Sequence, residues 1–93
     1  MNNYELLYII DSTVEEEARE AVIEKVNGII TNGNGSIENV DKWGMKKFAY
    51  PINYKNEGFY VLVNFQAPAE LPLELERVMK IQDAIVRFMT IRK

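Results

Sequence analysis

Ninety-three residues suit one domain spanning 1–93, large enough for a single core and too small for two. With no cysteine and no histidine, the chain has no disulfide framework, no thiolate and no ordinary neutral-pH acid–base group, and a metal site or a catalytic centre is not expected. A formal charge of −3 argues against indiscriminate nucleic-acid binding, but the charge is divided: residues 1–41 carry nine acidic groups against two basic, and residues 42–93 nine basic against five acidic. No apolar run approaches a membrane span, and MNNYELLYIID lacks the basic region and cleavage site of a secretory signal, so a soluble cytoplasmic protein is expected.

Tyr4 to Ile10 is an apolar run broken only by Glu5, which reads as a central strand with both faces covered. Asp11, Ser12 and Thr13 offer an N-cap, and Ser12 with Glu15 or Thr13 with Glu16 has capping-box spacing, so a helix is predicted to begin there. Val14, Ala18, Ala21, Val22, Val26, Ile29 and Ile30 follow at helical spacing, with Glu16, Arg19, Glu20 and Glu24 mostly opposite as a solvated face. Asn32-Gly33-Asn34-Gly35 tolerates positive φ and stops the helix. It follows a helix and lacks the lysine and hydroxyl of a phosphate loop.

The segment from Ile37 through Lys42-Trp43-Gly44-Met45-Lys46-Lys47-Phe48-Ala49-Tyr50-Pro51-Ile52 reads as a long edge strand: Gly44 marks a bulge and Pro51 cannot donate to a ladder. Its lysines either guard that edge or face an anionic partner. Asn53 to Gly58 has turn composition, and Phe59 to Gln66 is the return strand with Phe59, Val61, Val63 and Phe65 inward and Tyr60, Leu62 and Asn64 outward. Pro68 and Pro72 bracket the start of a second helix whose stripe is Leu71, Leu75, Val78 and Met79, with Glu76 and Lys80 spaced to pair. Ala84 to Ile91 is a last strand with Val86, Phe88 and Thr90 inward, which puts Arg87, Met89 and Ile91 outward.

Strand, helix, strand, strand, helix, strand is the order of the α+β ferredoxin-like sandwich, with a four-stranded antiparallel sheet and two helices on one face. In that arrangement the first and last strands are neighbours, so Asn2, Asn3 and Tyr4 meet Arg92 and Lys93. The open face then gathers Leu7, Ile9, Tyr60, Leu62, Met89 and Ile91 around Arg87, an apolar patch of the kind that marks an interaction surface.

These residues resemble bacterial ribosomal small-subunit protein six over nearly the whole chain. The likeness is carried by Tyr4-Glu5, by Trp43-Gly44-Met45-Lys46-Lys47-Phe48-Ala49-Tyr50-Pro51-Ile52, by Gly58-Phe59-Tyr60 and by Arg87-Phe88-Met89. The family implies a non-catalytic protein that binds the central domain of small-subunit ribosomal RNA together with small-subunit protein eighteen, with no cofactor, membrane or small-molecule substrate. Lysines stand at Lys46 and Lys47 where arginine is common in the family, which leaves less scope for bidentate phosphate contacts. On this reading Asn2, Asn3, Tyr4, Arg87, Arg92 and Lys93 are the RNA-side candidates, the cations for phosphates and Tyr4 for stacking or hydrogen bonding to an unpaired nucleotide. Lys42, Trp43, Lys46, Lys47, Tyr50, Tyr60 and Leu62 are the candidates for the protein partner.

Two alternatives share the fold. An RNA-recognition motif needs outward aromatics on both central strands, and the phase above offers mainly Tyr60. An acylphosphatase-like enzyme needs a phosphate cradle after the first strand, where this chain has Asp11-Ser12-Thr13-Val14-Glu15-Glu16-Glu17.

Overall fold

The computed structural model describes residues 2–52 and 55–93, and the side chains among them apart from 48–52 and 55–56. The elements are β1 (Asn2–Asp11), α1 (Glu16–Asn32), β2 (Ser36–Ile52), β3 (Lys55–Ala67), α2 (Leu71–Lys80) and β4 (Ile85–Arg92). They form one antiparallel sheet of order β2-β3-β1-β4, with β1 and β3 central and β2 and β4 at the edges. This is the ferredoxin-like arrangement that the element order predicts.

Strand alternation sets the layers. Tyr4, Leu6, Tyr8 and Ile10 of β1 and Val61, Val63 and Phe65 of β3 are buried beneath Ile23, Val26 and Ile30 of α1 and Leu71, Leu75 and Met79 of α2. Each such side chain contributes about 1.5–3 kcal/mol by leaving water, so this one interlayer holds most of the folding energy. The other side of β1 is not sealed as expected: Glu5 and Leu7 are half-buried, because no second layer lies over them.

The predicted helix start fails for a local reason. The Asp11 carboxylate accepts hydrogen bonds from the Thr13 backbone N–H at 3.0 Å and the Thr13 hydroxyl at 3.1 Å, which commits the capping candidates to a turn. The helix opens at Glu16 after Glu15, without a side-chain cap. Its buried row is Ile23, Val26 and Ile30, while Ala18 and Ala21 are exposed. Arg19, expected on the solvated face, instead lies 4.2 Å over the Phe59 ring. At the other end Asn34 takes the left-handed conformation, φ 66°, and the Gly35 N–H donates to the Ile30 carbonyl at 2.8 Å. A Cβ on Gly35 would stand 2.6 Å from that oxygen, so glycine is required there by close approach.

On β2 the pairing with β3 shifts between Lys42 and Gly44, and Gly44 has φ 90°, so the predicted bulge is present. The part of the predicted turn at Asn53 and Tyr54 lies outside the described residues, and Lys55 to Gly58 are strand, paired with Ile52, Lys47 and Lys46. In α2 the pair formed is Arg77 with Glu74, an exposed contact that draws the Glu74 carboxyl below its ordinary range, rather than Glu76 with Lys80. In β4 a register shift between Ile9 and Ile10 buries Ile85 in place of Val86, and Phe88 packs on the core as expected.

Tyr8 is fully buried, its hydroxyl has no partner among the described residues, and burial together with the nearby Glu20 charge pushes its pKa well above the ordinary value. The unfolded chain therefore gives up this proton first. Stability is fully present below about pH 10 and falls as pH rises beyond it, because only the unfolded form gains from ionisation. Urea unfolding from pH 8 to 11 should show that decline, and Tyr8→Phe should flatten it; an identical slope in the variant would show that other groups govern alkaline unfolding.

Candidate functional site

The face of the sheet without helices is organised in rows across the strands. Tyr60, Ile9 and Arg87 stand opposite one another, then Leu62, Leu7 and Met89, then Asn64, Glu5 and Ile91. Met89 and Ile91 are each 50% exposed, the open apolar surface that strand alternation predicts. Trp43 extends the first row: freed from the ladder by the bulge, its ring stacks on Tyr60 at 6.2 Å with 9° between planes. Its indole N–H donates to the Asp41 carboxylate at 3.0 Å, and Lys46 Nζ sits 6.0 Å from its ring. Asp41 is a residue that the sequence reading missed; the signal was an acid two positions before the lone tryptophan.

A cavity of about 260 Å³ opens on this face, lined by Leu7, Ile9, Tyr60, Arg87, Phe88 and Met89. Among the described residues no carboxylate pairs with Arg87.

The chain ends meet as the topology requires. Tyr4 pairs with Arg92, and the Lys93 backbone N–H donates to the Asn3 carbonyl at 2.9 Å. Arg92 Nη2 donates to Asn2 Oδ1 at 3.0 Å, and Lys93 Nζ donates to Asn64 Oδ1 and lies 3.7 Å from Glu5 Oε2. Because Arg92 shares a side with Tyr4, its side chain leaves the helix-covered face, while Lys93 reaches along the open one.

The structure removes one expected contact, stacking by Tyr4, and sets Arg87 apart from the other RNA-side candidates. Tyr4 is 5% exposed, its ring packed on Phe65 at 5.6 Å, so it cannot stack on a nucleotide. Its hydroxyl instead accepts from Asn2 Nδ2 at 3.3 Å, which steadies the asparagine that holds Arg92. Arg87 is also separated from its expected companions: five residues of strand put it about 17 Å from Arg92, in the row of Ile9 and Tyr60. The group expected to form one RNA surface is thus two groups.

The expected partner-side group divides as well. Trp43, Lys46, Tyr60 and Leu62 belong to the open face. Lys42, opposite Val61, points to the helices and contacts both Glu20 oxygens at 2.9 Å. Lys47 pairs with Glu57 one position beyond Lys46, so alternation turns it to the other side. Tyr50 lies outside the residues whose side chains are described.

The aromatics of β1, Tyr4 and Tyr8, face the helices, and its outward positions are Leu7 and Ile9, so the two-strand stacking platform of an RNA-recognition motif is lacking among the described residues. Among those residues no cluster of acids is arranged to hold a metal ion, and no helix is long and apolar enough to cross a membrane.

Comparison with known proteins gives a single outcome. The family model described as ribosomal protein S6 matches residues 3–92. Small ribosomal subunit protein bS6 of Clostridium novyi is 54% identical over 91 residues, covering 98% of this chain and 96% of that protein. The bS6 protein of Alkaliphilus oremlandii is 54% identical over 92 residues, covering 99% and 97%. The crystal structure of 30S ribosomal protein S6 from Thermotoga maritima superposes with a TM-score of 0.96 at 38% identity, over 99% of this chain and 87% of that one. A family match over nearly every residue, full-length relatives above half identity and a superposition of the whole fold place this chain in the ribosomal protein S6 family, whose members are structural components of the small ribosomal subunit and not enzymes.

Proposed function

We propose that this ribosomal protein, at work on the cytoplasmic ribosome, binds the central domain of small-subunit ribosomal RNA together with small-subunit protein eighteen, the two proteins acting as one binding unit. The observation that carries the reading is the contrast between an uncovered apolar sheet face and a sparse set of cations on an acidic chain. Apolar surface of that kind is matched by protein, whereas the few cations near the joined termini release too few counterions to hold RNA tightly alone. Tight binding therefore needs the partner.

Filter binding to a central-domain RNA fragment tests this directly. At physiological salt the isolated chain should bind more weakly than about 1 μM, and protein eighteen should tighten binding at least about 100-fold. Nanomolar binding by the chain alone would remove the cooperative part of the reading.

Two comparisons of variants follow from where the cations sit. Arg92→Glu should weaken RNA-dependent assembly, while Glu24→Lys on the exposed side of α1 should not, since phosphate attraction fades over a Debye length of ~8 Å. The Arg92→Glu defect should shrink as salt rises; equal effects from both variants would mean that net charge governs binding. Lys46→Glu should likewise weaken pairing with protein eighteen several-fold, while Lys47→Glu, turned to the opposite side, should leave it unchanged. Both should melt like the parent, as exposed lysines add little to stability. If neither matters, the lysines serve only to guard the edge strand.

A further inference from the structure

Arg87 is an unusual cation for a phosphate contact. It stands alone in an apolar ring, with Ile9 and Tyr60 in its own row and Leu7 and Met89 in the next, and the about 260 Å³ cavity opens beside it. The other described cation reaching this face from the chain end, Lys93, is already engaged by Asn64 and Glu5. A nucleic-acid strand running across the face would meet, among the described residues, Arg87 as the one unpaired cation in this part of it, with Lys46 across the sheet beside Trp43 and a carboxylate, Glu5, two rows away. Its repeating charges would find no matching repeat.

The opposite chemistry fits. An apolar side chain of ordinary size can fill the cavity, and a neighbouring carboxylate would find in Arg87 a guanidinium with no acid among the described residues to pair with. The apolar wall around the arginine lowers the local dielectric once a partner covers it, and this strengthens such a pair while making the arginine costly to bury without one. We infer that Arg87 and the cavity beside it form a two-part socket for a protein segment that presents an apolar side chain next to a carboxylate, so that Arg87 serves the protein partner rather than the RNA. This rests on the reading above that the open face receives small-subunit protein eighteen, and it adds the chemistry of the contact. The pairing would also set register, because an apolar face alone tolerates sliding and a buried arginine does not.

The test uses the full chain and purified protein eighteen, without RNA, measured by calorimetry. Arg87→Met keeps apolar bulk and removes the charge, and Arg87→Glu reverses it. Both sit at an exposed position and should melt with the parent. Arg87→Met should weaken binding at least about tenfold and Arg87→Glu more. Changing the acidic residues of protein eighteen to lysine one at a time should reveal one change that restores binding to Arg87→Glu and not to the parent. Parent-like binding by Arg87→Met, with a loss seen only when RNA is added, would return Arg87 to a phosphate and overturn the inference alone. Absence of binding by the parent would overturn the underlying reading and the inference with it.

Discussion

Phe65→Ala should lower the melting temperature by about 12–40 °C, one of the largest stability losses expected of a single truncation among the described residues. Phe65 has no exposed surface, sits on central strand β3 between Tyr4 and Ile37 in the cross-strand register, and stacks on the Tyr4 ring. Removing a buried phenyl ring costs about 3–5 kcal/mol, partly from lost transfer energy and partly from the cavity left behind. In a domain of this size each kcal/mol moves the midpoint by about 4–8 °C, and total stability is only about 5–15 kcal/mol. The effect should extend to function, since Tyr4 loses its packing partner and with it the support for the Asn2 contact to Arg92. Thermal and urea unfolding measure it; a loss below about 1 kcal/mol would mean that the interlayer between sheet and helices can collapse around the gap.

Trp43→Ala should have the opposite profile, a small change in stability and a large change in partner binding. Trp43 is 42% exposed and its ring rests on Tyr60, so folding loses about 0.5–1.5 kcal/mol of stacking. An aromatic held rigidly against Tyr60 at one end of an uncovered apolar face is the kind of residue that anchors an interface, and truncating it should cost about 2–4 kcal/mol, roughly 30- to 1000-fold in affinity for protein eighteen. Trp43→Phe, which can still stack on Tyr60, should recover much of that loss. An affinity within about threefold of the parent for Trp43→Ala would move the docking surface away from this end of the face.

What the sequence made legible, and what it hid, divides along a physical line. The inward and outward sets on β3, and Arg87, Met89 and Ile91 on β4, follow from strict two-residue alternation where the ladder is regular. Where the ladder is irregular the phase is lost: one shift beside Ile9 exchanges Ile85 for Val86, and nothing in either residue announces it. The Gly44 bulge was readable because it needs a positive φ, but its consequence, Trp43 laid over Tyr60, depends on a partner strand. Lys42 looked like part of a basic surface until Glu20, twenty-two residues earlier, was brought against it. Tyr4 shows the same limit, since an aromatic beside charged residues at a chain end reads as a nucleotide contact, and only the register with Phe65 makes it core. The joined termini were recoverable because they follow from element order alone.

The side of the sheet that receives the protein partner is decisive for the proposed function. Methyl-labelled spectra of the full chain titrated with protein eighteen read this out, because apolar reporters stand on both sides. Leu7, Ile9, Leu62, Met89 and Ile91 mark the open face, and Leu73 and Ile81, 73% and 71% exposed on and just after α2, mark the helix layer. Large shifts or broadening are expected in the first set with unchanged signals from Leu73 and Ile81; perturbation confined to Leu73 and Ile81 would put the protein partner on the helix layer and overturn the proposed docking face.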